Sequence, residues 1–272
     1  MTSAPEAPTA REPAAIAAVC LDIDDTLLDN ASASRAALAA LVGNDAAWPV
    51  WRRITDQHYE RCLDGEVDFD TMCVERTRAF FAAFGEEITR AEAAERERRR
   101  MDAMQHHWEL FDDARPCLDW LRGAGMRVAV ITNAPSTYQR TKIASVGLAD
   151  AFDAVLISGE RGASKPDGAL FREACAELGN RPAEVVHVGD RLDADALGAA
   201  RAGMHGVWLN RHERTPRHPA EVTAITTLHE LPEFLTCDLG VAPDPAPVPA
   251  ASRSAGQPQE EGVGEQAPAG MV

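Results

Sequence analysis

The stretch from Ile16 to Ile23 is apolar except at Asp22 and reads as a buried strand. It ends abruptly in Asp22, Asp24, Asp25 and Thr26. Apolar positions then change period. From 31 to 111 they recur at helical spacing, predicting one helix from Ser32 to Gly43, a second from Trp48 to Leu63, a third from Phe69 to Phe84 and a fourth starting near Thr89. The fourth carries Glu92, Glu95, Glu97 and the arginines between Arg96 and Arg100, a charge-dense run expected to be a solvated face with i,i+4 pairs. Beyond about 113 short apolar runs alternate with helices. Strands are predicted at Met126–Ile131, Ala154–Ile157, Glu184–Val188, His205–Leu209 and Thr223–Thr226, and helices at Arg115–Arg122, Thr137–Val146, Gly168–Leu178, Ala194–Ala202 and Leu228–Leu235. Such alternation implies a parallel sheet covered by helices on both faces, with the helical block inserted after the first strand.

Composition bounds this picture without changing it. The 272 residues are 45% hydrophobic, enough to bury a real core, and the formal charge of -16 repels phosphate backbones, so no nucleic-acid partner is expected. Cys20, Cys62, Cys73, Cys117, Cys175 and Cys237 are scattered without Cys-x-x-Cys spacing and read as reduced thiols, and no apolar run is long enough to span a bilayer. With no signal-peptide pattern in residues 1–15, the expected location is cytoplasmic, with no membrane partner. The expected organisation is a disordered N-terminus over 1–14, a core built from 15–30 and 112–237, a helical lid over 31–111, and a disordered Pro/Ala/Gly-rich tail over 238–272.

Chemistry-bearing residues fall at strand ends. The first strand delivers Asp22 and Asp24, the next leads into Thr132-Asn133, Ser164-Lys165-Pro166-Asp167 lies downstream of the third, and the fourth leads into Gly189-Asp190 with Asp193 and Asp195 beyond. The carboxyl ends of parallel strands share one edge, where open α/β sheets hold ligands, so these segments are expected to meet. Two unpaired carboxylates in one crevice repel unless a cation or proton lies between them. Each segment alone also has a plain reading, as a helix cap, a strand end or a turn residue.

The order Asp-x-Asp-x-Thr, Thr-Asn, Lys-Pro-Asp, Gly-Asp-x-x-x-x-Asp resembles the four motifs of the haloacid dehalogenase (HAD) superfamily over residues 16 to about 236. The resemblance implies an α/β fold, with a Rossmann-like three-layer core on a parallel sheet and a smaller all-helical cap of the first type. It makes Asp22 the nucleophile that becomes an aspartyl phosphate and Asp24 the general acid and then base. Thr132, Asn133 and Lys165 would bind the phosphate, Lys165 also neutralising Asp22. Asp22, Asp190 and the backbone carbonyl of Asp24 would hold Mg2+, with Asp195 behind them orienting Lys165 or the metal waters. Position 25, often glycine in the family, is Asp25, which is expected to alter the turn. The implied activity is magnesium-dependent hydrolysis of a small-molecule phosphomonoester. The resembling enzymes that cleave carbon–halogen bonds lack the second aspartate, so Asp24 favours phosphate over halide. A phosphosugar mutase, a 2-haloacid dehalogenase and a non-catalytic binding module remain the alternatives. Phosphonate hydrolysis needs a cap lysine, and none lies between 31 and 111. Trp48, Trp51, Arg52, Arg53, His58 and Tyr59 are candidates for lining the cleft, although an aromatic pair at this spacing more often packs between cap helices.

Overall fold

Alternation along the first strand sets the layering. In the computed structural model, which describes residues 15–63, 65–211 and 218–241, β1 (Ala18–Leu21) sends Val19 and Leu21 into one apolar cluster and Ala18 and Cys20 into another on the opposite face. The neighbouring β2 (Arg127–Thr132) repeats the split, with Val128 and Val130 on one side and Ala129 and Ile131 on the other. A strand apolar on both faces must be covered on both, and helices supply the cover. Those of the first face include α5 (Ala114–Gly123) and α6 (Ser136–Ser145), and those of the second α8 (Gly168–Leu178) and α9 (Leu197–Arg201).

With β3 (Ala154–Ile157), β4 (Val185–Gly189), β5 (His205–Leu209) and β6 (Val222–Ile225), the described residues form one six-stranded sheet. All its pairings are parallel and its order is β3-β2-β1-β4-β5-β6. The expected α/β core is therefore present. β1 lies between β2 and β4, with Leu21 in register with both Val130 and Val188. The loops after β1, β2 and β4 consequently leave one sheet edge side by side.

The strand expected to run to Ile23 stops at Leu21, because the chain turns there. The Ile23 carbonyl accepts from the amides of Leu27 (3.0 Å) and Leu28 (2.9 Å), and Asp24 bridges Leu28. A short helix, α7 (Ser158–Arg161), follows β3 where none was expected. A π-helical turn, Leu192–Ala196, precedes α9, and the C-terminal helix is a composite that ends in a π-helical turn at Phe234–Asp238. Leu239 and Val241 pack against the first apolar cluster, so the packed chain continues past the expected boundary at 237. The segments 1–14 and 242–272, expected to be disordered, lie outside the described residues.

Four helices follow β1: α1 (Asn30–Val42), α2 (Trp48–Leu63), α3 (Phe69–Ala82) and α4 (Arg90–Gln105). Their starts are written in the local sequence. Asp29 and Asp68 each accept a first-turn amide, and Thr89 with Glu92 forms a capping box. Leu38, Trp51, Ile54, Phe80, Phe81, Ile88 and Ala93 give these helices an apolar core of their own. The charge-dense run on α4 is not wholly solvated, as had been expected. Glu97 and Arg100 are buried, where Glu97 accepts from Arg76 (2.5 Å), Arg100 (2.7 Å) and Thr77 (2.8 Å), while Glu95, Arg98 and Arg99 form the expected exposed pairs. Buried charge must be paired, and Arg76 and Thr77 of α3 together with Arg100 of α4 itself satisfy Glu97. Among the described residues no helix is long and apolar enough to cross a membrane.

Candidate active site

Lys165 is the residue on which the strand ends converge. It is buried, and its ammonium donates to Asp22 Oδ1 (2.6 Å), Asp195 Oδ1 (2.6 Å) and the Ile131 carbonyl at the end of β2 (2.7 Å). Those three acceptors use its three protons. Burial pulls the ammonium pKa down, but Asp195 and Asp22 outweigh that and hold it above the ordinary lysine value. Asp195 shows the mirror balance: burial pushes its carboxyl up, yet Lys165 and the His187 hydrogen bond (3.0 Å) keep it below the usual carboxylate range. Its second oxygen accepts the Arg191 amide (3.0 Å). Both Asp195 oxygens are thus committed.

Asp22 is less fully compensated. Burial pushes its carboxyl up, Lys165 pulls it down, Asp195 and Asp24 raise it again, and the outcome is a pKa of about 7. Asp190, at the end of β4, is also raised well above the ordinary value, by burial and by Asp195, Asp22 and Asp25. Ligand oxygens of Asp22, Asp190 and Asp195 lie within 4.8 Å of one another. This is a cluster of hard oxygen donors whose net negative charge Lys165 alone does not cancel. That donor set fits a hard divalent cation such as Mg2+, with Asp22 and Asp190 the available side chains, since Asp195 is occupied.

Asp24 lies within a second set of partners, on which the sequence reading was silent. Its Oδ1 accepts from Lys142, and its Oδ2 accepts from Gln139 Nε2 (3.0 Å). The same Gln139 nitrogen donates to Thr132 Oγ1 (2.7 Å), tying the carboxylate to the hydroxyl at the end of β2. Gln139 and Lys142 are fully buried and three positions apart on α6, hence on one face. That spacing was legible; the direction in which the face turned was not. Burial lowers the Lys142 ammonium pKa, but Asp24 and Tyr138 more than restore it.

Asn133 differs from its expected place among the phosphate-binding side chains. Its Nδ2 donates to the Lys165 carbonyl (2.8 Å) and its Oδ1 accepts the Lys165 amide (2.8 Å), so the side chain clamps the loop that carries Lys165. A primary amide offers one donor and one acceptor group, which match a backbone carbonyl and amide.

Of the candidate cleft residues in the cap, Tyr59 reaches the sheet edge. Its hydroxyl donates to the Asn133 carbonyl (3.2 Å), and the Arg191 guanidinium lies 5.8 Å from its ring centroid. Trp51 is buried in the cap core, edge-on to Phe80 at 5.2 Å, the packing role that aromatic spacing on cap helices favours. Trp48, Arg52 and Arg53 line a separate groove with Asp56 and Glu60, which no catalytic-edge residue joins.

Comparison with known proteins follows the same lines. A family model described as haloacid dehalogenase-like hydrolase matches residues 16–203. Phosphoserine phosphatase from Thermus thermophilus is 33% identical over 238 residues, which cover 73% of this chain and 90% of the relative. Among solved structures, a HAD-hydrolase from Bacillus subtilis bound to magnesium superposes with a TM-score of 0.71 at 22% identity, covering 81% of this chain and 99% of that one. L-2-haloacid dehalogenase from Xanthobacter autotrophicus gives 0.65 at 23% identity, covering 82% and 99%. At these identities the two structures speak to the fold.

Proposed function

Because the chain belongs to the haloacid dehalogenase-like hydrolases, we propose that it is a magnesium-dependent phosphatase that hydrolyses a small phosphorylated metabolite through an aspartyl-phosphate intermediate. The observation that carries this reading is a second carboxylate, Asp24, held with its own partners beside the Asp22–Lys165 pair. A halide leaves as a stable anion and needs no proton. An alkoxide is a far poorer leaving group and needs a proton.

In the first step an oxygen of Asp22 attacks phosphorus, the phosphorus–oxygen ester bond breaks, and Asp24 delivers its proton to the departing alkoxide. In the second step Asp24, now a carboxylate, takes a proton from water as that water attacks the phosphorus and releases Asp22. Lys165 offsets the charge of Asp22 throughout, and Thr132 supplies a hydroxyl donor to the transferring oxygens. Asp22, Asp190 and the Asp24 carbonyl would hold Mg2+, which when bound offsets the negative charge shared by nucleophile and substrate. The cap leaves selection of the ester to residues such as Tyr59. Free thiols at all six cysteines fit a reducing, cytoplasmic compartment.

Hydrolysis of 2-haloacids is the second reading, drawn from the dehalogenase neighbour, and it leaves Asp24 without a task. The deciding assay measures phosphate release from p-nitrophenyl phosphate and a panel of phosphorylated metabolites, with 2-chloropropionate in parallel. The expected result is phosphate release that requires Mg2+, stops with chelator and falls to background in Asp22→Asn. Chloride release without phosphate release would reverse the assignment.

A further inference from the structure

The site contains two buried ammonium groups, Lys165 and Lys142, and they serve different carboxylates. Asp22 shares Lys165 with Asp195, whereas the ion pair of Asp24 is with Lys142. The reaction as described employs Lys165 and gives Lys142 no part. Lys142 is fully buried, which is a costly place for an ammonium. Its proton donors meet Asp24 Oδ1 and Asn30 Oδ1 (3.2 Å), and its charge lies over the ring of Tyr138 (4.5 Å from the centroid) and near that of Trp108 (5.5 Å). Tyr138 and Trp108 are themselves packed edge to face at 5.5 Å, so the ammonium is held from the aromatic side as well as by its anion.

We propose that Lys142 is a positioning residue for Asp24: with Gln139 it grips both carboxylate oxygens from one helix face and holds the carboxylate apart from the Lys165–Asp22 pair. This rests on the reading of Asp24 as the acid and base. Without Lys142, Gln139 alone would restrain the group, and Asp24 could turn toward the Lys165 ammonium, which already serves two carboxylates. Asp24 would then be misplaced for both proton transfers. A buried lysine kept only for packing would do its work equally well as methionine, which has similar length and no desolvation cost. The site therefore predicts that the charge matters, and that it matters through Asp24.

The test is a double-mutant cycle on the magnesium-loaded full chain, with p-nitrophenyl phosphate and an alkyl phosphomonoester as substrates. Lys142→Met is expected to lower kcat about 10- to 100-fold on the alkyl ester and less on p-nitrophenyl phosphate, with KM changed less than about twofold, because acid–base assistance contributes on the order of 10²–10⁴ and is needed least by a good leaving group. Lys142→Arg should recover part of the loss. In an Asp24→Asn background, Lys142→Met should cost nothing further. Equal losses in both backgrounds, or an unchanged kcat in folded Lys142→Met, overturn the inference. Should Lys142→Met fail to fold, Lys142→Gln, which keeps a donor but no charge, is compared in the same two backgrounds with the same criteria. If Asp24→Asn itself retains wild-type kcat on the alkyl ester, the acid–base reading fails and the inference falls with it. If Asp24→Asn is impaired and the cycle is additive, the inference fails alone.

Discussion

Asp25 occupies the left-handed region at φ 59°, the one non-glycine among the described residues with positive φ. Aspartate tolerates that region better than most side chains, because its short carboxylate can bond locally. Here Oδ1 accepts the Ala31 amide at 2.8 Å, which ties the first-motif turn to the start of α1. The expected change of turn relative to a glycine thus has a definite form: the chain keeps the glycine-like backbone and adds a cap. Burial, opposed by the Ala31 bond and reinforced by Asp24 and Asp29, lifts the carboxyl to about 6. Its folded value lies above its unfolded one, so the proton-linked stability is present below about pH 4 and is lost as pH rises through 6. Asp25→Asn keeps the acceptor without the charge, and should match wild type near pH 4 and exceed it at pH 8. Asp25→Ala loses the cap and the local bonding and should cost about 1–3 kcal/mol at either pH. Urea unfolding at the two pH values separates these outcomes.

At the scale of elements, the π-helical turn Leu192–Ala196 decides where Asp195 sits. It lies so close to β4 and β5 that a Cβ at Gly189 would fall 2.2 Å from Asp195 Cγ, and one at Gly206 would fall 2.1 Å from the Ala196 carbonyl oxygen. The two glycines are therefore needed for close approach, not for backbone freedom. The one that meets backbone has no flexible side chain to displace. Gly206→Ala should push the turn off the sheet, cost at least about 1–3 kcal/mol and lower kcat by drawing Asp195 away from Lys165. Gly123→Ala, in α5 with open space around it and a helical backbone, should be neutral or stabilising by up to about 1 kcal/mol. Thermal unfolding and kcat for the pair check this, and equal behaviour would refute it.

Across the whole molecule the formal charge of -16 makes any additional buried anion expensive, and the catalytic edge concentrates that difficulty in Asp22 and Asp190. Both folded values lie above the ordinary carboxyl value, so the metal-free protein holds protons that the unfolded chain has released. The stability they confer is full below the unfolded pKa and is lost as pH rises through about 7 for Asp22. A divalent cation can replace those protons, and it binds in competition with them. Mg2+ at a hundredfold excess over its Kd should add about 2.7 kcal/mol, provided the carboxylates are free to bind it. The rise in Tm on adding Mg2+ is thus expected to be larger at pH 8 than at pH 5 and to vanish in Asp190→Asn. An equal rise at both pH values would show that the ion binds elsewhere.

How much of this was legible differs by kind of residue. Strands and helices followed from period because burial on two faces, one face or a stripe writes itself directly into the order of apolar residues. Asp22, Thr132, Lys165 and Asp190 were readable because each lies at or beyond a strand end, and parallel strands deliver their ends to one edge, whereas Asp195 was singled out only by the family resemblance. Lys142, Gln139 and His187 were not, since a polar residue inside a helix or strand carries no mark of what faces it across the fold. The sequence places Asn133 after a strand but does not show its contacts with the Lys165 backbone, while for Trp51 the helical spacing already favoured packing over the cleft. Local order thus determined the layers, the strand sequence and the set of chain segments that reach the edge. Only tertiary packing decided that Lys142 and Gln139 serve Asp24, because partner choice within a helix depends on distances between segments that chain order does not encode.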